Sequence, residues 1–61
     1  MLYNVPATAT TYRWLIVTRV GVDHWYYGAY RDENEADRIA YYLKHTEGRD
    51  VSVWENPYYL R

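Results

Sequence analysis

Alternating apolar side chains predict β-structure in the first half of the chain. Residues 12–20 are rich in β-branched and aromatic side chains and contain neither glycine nor proline, which predicts a strand. A turn follows at residues 21–24, where Gly21 can adopt a positive φ. Residues 25–30 predict a second strand, which Gly28 interrupts. The two strands therefore form a hairpin.

Helical periodicity replaces this alternation later in the chain. Asp32 is a suitable N-cap, and Gly48 suits the position that follows a helix. We therefore predict a helix over residues 33–46, and a short Val-rich strand over residues 50–55 follows it. The apolar side chains of the helix recur at spacings of three and four residues and so share one face: Ala36, Ile39, Ala40 and Leu43.

The element order β-β-α-β predicts an α+β fold. A right-handed crossover through the helix places the last strand beside the first. We expect a three-stranded sheet in the order 2-1-3, with one helix on one face. A chain of 61 residues is a single domain, because domains rarely fall below about 50 residues. Within it we expect an extended arm over residues 1–10, a compact core over 12–55 and a tail over 56–61.

The first strand is apolar at its centre on both faces. Because side chains alternate across a strand, one face carries Tyr12, Trp14, Ile16, Thr18 and Val20, and the other carries Arg13, Leu15, Val17 and Arg19. Such a strand is normally covered on both sides, whereas one helix covers one side. A core of this size supplies only about 3–5 kcal/mol. We therefore expect a homo-oligomer that buries Leu15, Val17 and Trp54 between copies.

The aromatic content favours a binding function. Three Trp, nine Tyr and no Phe make up 20% of the chain, and Tyr and Trp suit half-buried positions and interfaces. Residues 25–31 interleave aromatic rings with a glycine and an arginine, a pattern suited to stacking on a flat group. The alternative is that these rings only pack within the sheet. We expect a protein or a small nucleotide-like ligand to be recognised by Trp25, Tyr26, Tyr27, Arg31, Arg13 and Arg19.

Charge and composition argue against several other functions. Seven Lys and Arg against eight Asp and Glu give a net charge of −1, which disfavours bulk nucleic-acid binding and a polybasic membrane anchor. The absence of cysteine excludes disulfides and thiolate zinc sites. The longest apolar run, residues 14–17, is too short for a membrane span, and no signal peptide is visible. We therefore expect no membrane partner and a cytoplasmic location.

No pattern of residues predicts catalysis or metal binding. Ser52 is the only serine and has no nucleophile-elbow motif around it, and Asp23 and His24 are neighbours in a turn whose side chains need not converge. We therefore expect a non-enzymatic protein without a metal or cofactor. One helical stripe carries Asp37, Tyr41 and His45. It offers two ligands of the usual kind, whereas a selective metal site needs three or four.

The layout of residues 12–55 carries a resemblance to a class of small proteins. Its elements are a Trp-led strand, Tyr26-Tyr27-Gly28, an acidic helix start, the helical apolar face and a short Val-x-Val strand. This layout resembles small phage-encoded and prophage-encoded proteins, which include anti-CRISPR inhibitors and oligomeric sponges that bind nucleotide signals. The resemblance implies a non-catalytic inhibitor or sequestering protein of the anti-defence type. The alternative is a structural or regulatory protein–protein interaction module without a small ligand.

Overall fold

The computed structural model describes residues 2–60, which form one helix packed on a four-stranded mixed sheet. Helix α1 spans Glu33–Thr46, and a short 3-10 helix spans Ala7–Thr11. The strands are β1 (Leu2–Tyr3), β2 (Trp14–Val20), β3 (Asp23–Tyr30) and β4 (Val51–Glu55). Their order in the sheet is β1-β3-β2-β4. β1 runs parallel to β3, and β2 runs antiparallel to both β3 and β4.

The α+β class is confirmed, and the details of the sheet differ from the prediction. β2 lies between β3 and β4, as the expected order of the three strands requires. The predicted number of strands is wrong, because Leu2 and Tyr3 add a fourth strand by pairing with His24 and Trp25 of β3. The segment expected to be an extended arm therefore belongs to the sheet at its start and forms a 3-10 helix further on.

The two ends of α1 form as the sequence predicts. The Asp32 carboxylate accepts a hydrogen bond from the Asn34 N–H at 3.1 Å, which satisfies one of the free amides of the first turn. Gly48 has a φ of +67°, and the N–H of Arg49 donates to the Leu43 carbonyl at 3.1 Å. This left-handed residue ends the helix and turns the chain back towards β4.

The core on the helix side of the sheet joins α1 to β2, β4 and the end of β3. The predicted helical face is confirmed, since Ala36, Ala40 and Leu43 are buried and Ile39 packs against them. The remaining members of this cluster come from the sheet: Ile16 and Val51, with Trp14, Tyr30 and Val53 half-buried around them.

The opposite face of the sheet is covered by the N-terminal segment of the same chain. Ala9 from the 3-10 helix packs with Leu15 and Val17 of β2, whose side chains are 0% and 1% exposed. The expectation that Leu15 and Val17 face another copy is therefore corrected, because Leu2, Val5 and Ala9 of the N-terminal segment, which lies outside the predicted core, cover them. Trp54 is half-buried at the border of this cluster, which Leu2, Val5, Tyr26 and Ala29 complete.

The side chain of Asn56 links the N-terminal segment to the end of β4. It is the buried polar residue of the described chain, at 4% exposure. Its Nδ2 donates to the carbonyls of Ala9 (3.0 Å) and Tyr12 (2.9 Å), and its Oδ1 accepts from the Tyr58 N–H at 2.9 Å. A further backbone bond joins Leu60 to Thr10 at 2.9 Å. The predicted tail thus holds the N-terminal segment in place.

Candidate functional site

Helix α1 covers only part of its face of the sheet. It packs on β4 and β2 and also contacts β3, whose Tyr30 belongs to the core beneath the helix. A helix with its side chains is about 10–12 Å wide, and strands lie about 4.8 Å apart, so one helix cannot shield four strands. The outer half, which consists of β1 and the end of β3 that pairs with it, therefore remains open on the helix side.

Aromatic side chains stand on this open half. Trp25 is level with Thr18 of β2 and so shares the face of Ile16, which packs against the helix. Tyr3, its partner in the parallel register, lies with its ring centroid 4.9 Å from the Trp25 ring. Tyr27, 40% exposed, lies further along β3. We call Tyr3, Trp25, Tyr27 and the neighbouring Arg49 the aromatic platform.

Arg49 adds the one charged group of the platform. It follows the C-terminal turn of α1, and its guanidinium carbon lies 5.6 Å from the Tyr27 ring centroid, within the range of a cation–π contact. Its Nε donates to the Glu47 carboxylate at 2.9 Å, and this bond raises the pKa of Arg49. Arg49 is thus a permanently charged group with a fixed orientation over a tyrosine.

Strand alternation divides the predicted aromatic cluster between the two faces, and a β-bulge follows within the same strand. Val17 of β2 is level with Tyr26, but Ile16 is level with Gly28, so Tyr27 is the extra residue of β3. Tyr26 packs with Leu15 and Val17 on the far side of the sheet. The structure therefore brings Trp25 and Tyr27 to the platform and leaves Tyr26 out.

Gly28 does not offer an open place for a ligand. A Cβ at this position would lie 2.6 Å from the Tyr30 hydroxyl oxygen, so the side chain of Tyr30 already occupies the space. Tyr30 packs against the helix-side core, and its burial raises the pKa of its phenol above the ordinary value. The glycine accommodates a tyrosine of the same chain.

The predicted arginines lie apart from the platform, each against a group of its own chain. Arg13 pairs with Glu55 at 3.1 Å, and Arg19 pairs with Asp50 at 2.9 Å, so both lie along the β2–β4 half of the sheet. The Arg31 guanidinium lies 4.6 Å from the ring centroid of Tyr12. Sequence reasoning missed Arg49 and Tyr3, since contacts made by a turn and by a two-residue strand leave no periodic signal.

The residues weighed for catalysis and metal binding form other contacts. Ser52 accepts a hydrogen bond from the Trp54 indole N–H at 3.0 Å, and the His24 ring lies 5.0 Å from the Trp54 ring. Within residues 2–60, no hydrogen bond joins Ser52 to His24. Over the same residues, no three His, Cys, Asp or Glu side chains are grouped as metal ligands.

Two grooves lie outside the platform. One, of about 420 Å³, separates the N-terminal segment from the tail, and among residues 2–60 its wall is formed by uncharged side chains, including Leu2, Val5, Pro6 and Tyr58. The other, of about 320 Å³, runs between α1 and β4. The first groove lies between segments that cover the far face of the sheet, and the second borders the outer edge of β4.

The comparisons with known proteins add no relative. No protein-family model, no curated protein sequence and no solved structure matches the chain. Within the described residues, no helix has both the length and the apolar character needed to cross a membrane.

Proposed function

We propose that this chain is a non-catalytic binding protein whose aromatic platform contacts a protein partner. One observation carries the proposal: Trp25, Tyr27 and Tyr3 stand on the half of the sheet that the chain's own helix leaves open. Tyr, Trp and Arg are the residues that most often dominate the free energy of protein interfaces. The platform combines all three types.

The platform is also held in position before any partner arrives. Backbone pairing of β1 with β3 fixes Tyr3 against Trp25, and the bond from Arg49 to Glu47 fixes the guanidinium over Tyr27. Side chains that are already ordered lose less conformational entropy on binding, a cost of about 0.5–1.5 kcal/mol for each side chain immobilised. Preorganisation therefore favours recognition by a small surface.

The distribution of charge favours a protein over a nucleotide. Arg13 and Arg19 pair with carboxylates of their own chain, and Arg49, the cation of the platform, pairs with Glu47. A phosphate group at the platform would meet one arginine that already has an anionic partner. A nucleotide-like ligand is the second candidate, since Tyr27 and Arg49 offer a ring and a cation for stacking.

The role we propose for such binding is that of an inhibitor or sequestering protein, as the resemblance of the sequence layout to phage anti-defence proteins implies. The alternative form is a structural or regulatory interaction module. Both forms act through the same surface and differ in whether the partner loses its activity. Assaying a captured partner with and without the chain separates the two.

The test uses the wild-type chain and three alanine variants as bait for a protein partner. Tyr27→Ala and Arg49→Ala remove parts of the platform, and Tyr58→Ala removes a similarly exposed tyrosine, 49% exposed, that lies elsewhere. We expect a protein retained by the wild type and by Tyr58→Ala to be lost with both platform variants, while circular dichroism stays unchanged. Equal retention by all four proteins would contradict the proposal.

A titration followed by NMR separates the second candidate. Nucleoside monophosphates and cyclic dinucleotides are added to the labelled chain, and the indole N–H signal of Trp25 is observed. A saturable shift of this signal that is absent in Arg49→Ala would assign the platform to a nucleotide-like ligand. Unchanged signals throughout the titration would leave a protein as the proposed partner of the platform.

A further inference from the structure

Strand β4 has a free edge with a regular backbone. Its inner side pairs with β2. The Arg19 N–H donates to the Asp50 carbonyl just before the strand, and two and four residues further along the backbone groups of Ser52 and Trp54 likewise face Val17 and Leu15 of β2. Because hydrogen-bonding direction alternates along an antiparallel strand, the intervening residues point the other way. The N–H and C=O groups of Val51, Val53 and Glu55 therefore face outward.

This edge lacks the usual protection against pairing. Natural edge strands are short, bulged or marked by charged side chains, lysine above all. The opposite edge of the sheet follows that rule, since β1 has only two residues and β3, beside it, carries a bulge. β4 contains no lysine, and the carboxylates of Glu55 and Asp50 are neutralised by Arg13 and Arg19.

The helix beside this edge has a self-complementary pattern of charge. Asp37, Tyr41 and His45 follow one another at intervals of four residues along the side of α1 that borders the groove to β4. The Tyr41 ring lies 4.1 Å from the His45 ring and is 66% exposed. An acidic group thus lies at one end of the stripe, a basic group at the other and an exposed ring between them.

We propose that a second copy of this chain docks on the β4 edge through a two-fold axis that passes beside Val53 and Tyr41. The two β4 strands pair antiparallel and join the two sheets into one. Val53 pairs with Val53 of the second copy, and Val51 pairs with Glu55 in both directions. These are the residues whose backbone groups face outward, so the register satisfies each of them.

The same axis brings the two helices together with the Asp37 end of one facing the Lys44–His45 end of the other. A two-fold axis perpendicular to the sheet keeps both helices on one face and makes them antiparallel. Asp37 then lies opposite His45 of the second copy, and the two Tyr41 rings meet at the axis. With α1 above the gap between β2 and β4, the helix axes lie about 10 Å apart for strands spaced at about 4.8 Å, close to the 8–10 Å of packed helices.

This inference moves the expected oligomer interface from one surface to another. Leu15 and Val17 are buried within the single chain, so they offer nothing to a second copy. The β4 edge and the stripe on α1 are accessible and lie away from the aromatic platform. Loss of the dimer and loss of partner binding therefore have different signatures in variants of the two surfaces.

Analytical ultracentrifugation of matched variants tests the inference. Tyr41→Lys places a charge at the proposed axis, and Tyr42→Lys makes the same change one position on, about 100° round the helix, at a tyrosine that is also exposed. We expect a wild-type dimer at about 100 μM and a dimer Kd at least about 10-fold weaker for Tyr41→Lys. The Kd of Tyr42→Lys should match the wild type.

A charge swap checks the direction of the two helices. Asp37→Lys should weaken the dimer because it places a cation opposite the end of α1 that carries Lys44, and His45→Glu should weaken it because it places a carboxylate opposite Asp37. The double variant should restore at least half of the lost binding free energy. A monomeric wild type at about 100 μM, equal effects of the two Tyr→Lys changes, or no recovery in the double variant would each overturn the inference. Circular dichroism confirms that each variant is folded.

Discussion

The replacement of Asn56 by alanine tests how the N-terminal segment is held on the sheet. The side chain of Asn56 makes three hydrogen bonds, two to carbonyls of the N-terminal segment and one from the tail. Alanine removes all three and adds no new group. The Ala9 carbonyl, in a residue 1% exposed, then loses the Asn56 amide as a partner.

The magnitude follows from these bonds. A hydrogen bond contributes about 0.5–1.5 kcal/mol net, and three are lost here, while the Ala9 carbonyl keeps the bond from the Tyr12 N–H. We expect Asn56→Ala to lower the free energy of unfolding by about 2–4 kcal/mol, most of what a core of this size supplies. For a domain this small, the midpoint of thermal unfolding should fall by about 10–30 °C.

Urea and thermal unfolding followed by circular dichroism measure this loss. Asn34→Ala is the matched control, since Asn34 is exposed on the first turn of α1 and uses its backbone N–H, not its side chain, in the cap. The control should stay within about 0.5 kcal/mol of the wild type. A loss for Asn56→Ala as small as that of the control would refute the view that Asn56 holds the N-terminal segment on the sheet.

Two further predictions concern Tyr30 and its neighbour. Gly28→Ala should cost about 1–3 kcal/mol in urea unfolding, as overpacking does, because the new Cβ would lie 2.6 Å from the Tyr30 hydroxyl oxygen; the cost should be smaller in a Tyr30→Phe background, and an equal cost in both would contradict the contact. Burial raises the pKa of Tyr30 above 10.0, so its protonated form stabilises the fold below pH 10, and this contribution is lost as the pH rises through the raised pKa. The stability of Tyr30→Phe should therefore fall less than that of the wild type above pH 10, and identical slopes would disprove the effect.

Local signals in the sequence determine the hairpin and the helix, and these were predictable. Gly21 has a φ of +64° in the turn between β2 and β3, where a residue with a side chain is strained. Asp32 and Gly48 act at the two ends of α1 as expected. The helical face follows from spacing alone. In each case the cause lies within a few residues of its effect.

The cover of the second sheet face depends on contacts distant in sequence, and these were not predictable. The apolar centre of β2 on both faces did indicate that both would be buried. Ala9 gives no sign in the sequence that it packs on Leu15, because a single small residue in a Thr-rich stretch has no periodicity. The bond from Asn56 to Ala9 joins residues 47 positions apart. The prediction therefore assigned to a second copy the covering of Leu15 and Val17, which the N-terminal segment of the same chain provides.

The candidate site was predictable only in part, because it depends on a fourth strand and on a turn. Trp25 and Tyr27 share one side of β3 by simple alternation, which leaves Tyr26 on the other side. Tyr3 reaches Trp25 only through the pairing of β1 with β3. Arg49 reaches Tyr27 because the chain reverses at Gly48. The residue types of the predicted surface were informative, but their grouping required the structure.

The two proposed surfaces have a joint consequence for binding. A two-fold axis at the β4 edge leaves both aromatic platforms on the same face of the joined sheet, one at each end. Counting strands at about 4.8 Å from the axis to β3 and β1 places the two platforms about 30 Å apart. A partner with two copies of the recognised surface at that spacing would bind both platforms, and the second contact would form at a high effective concentration. Tyr41→Lys should then weaken binding of a bivalent partner while leaving binding of a monovalent one unchanged, because it separates the copies without altering the platform.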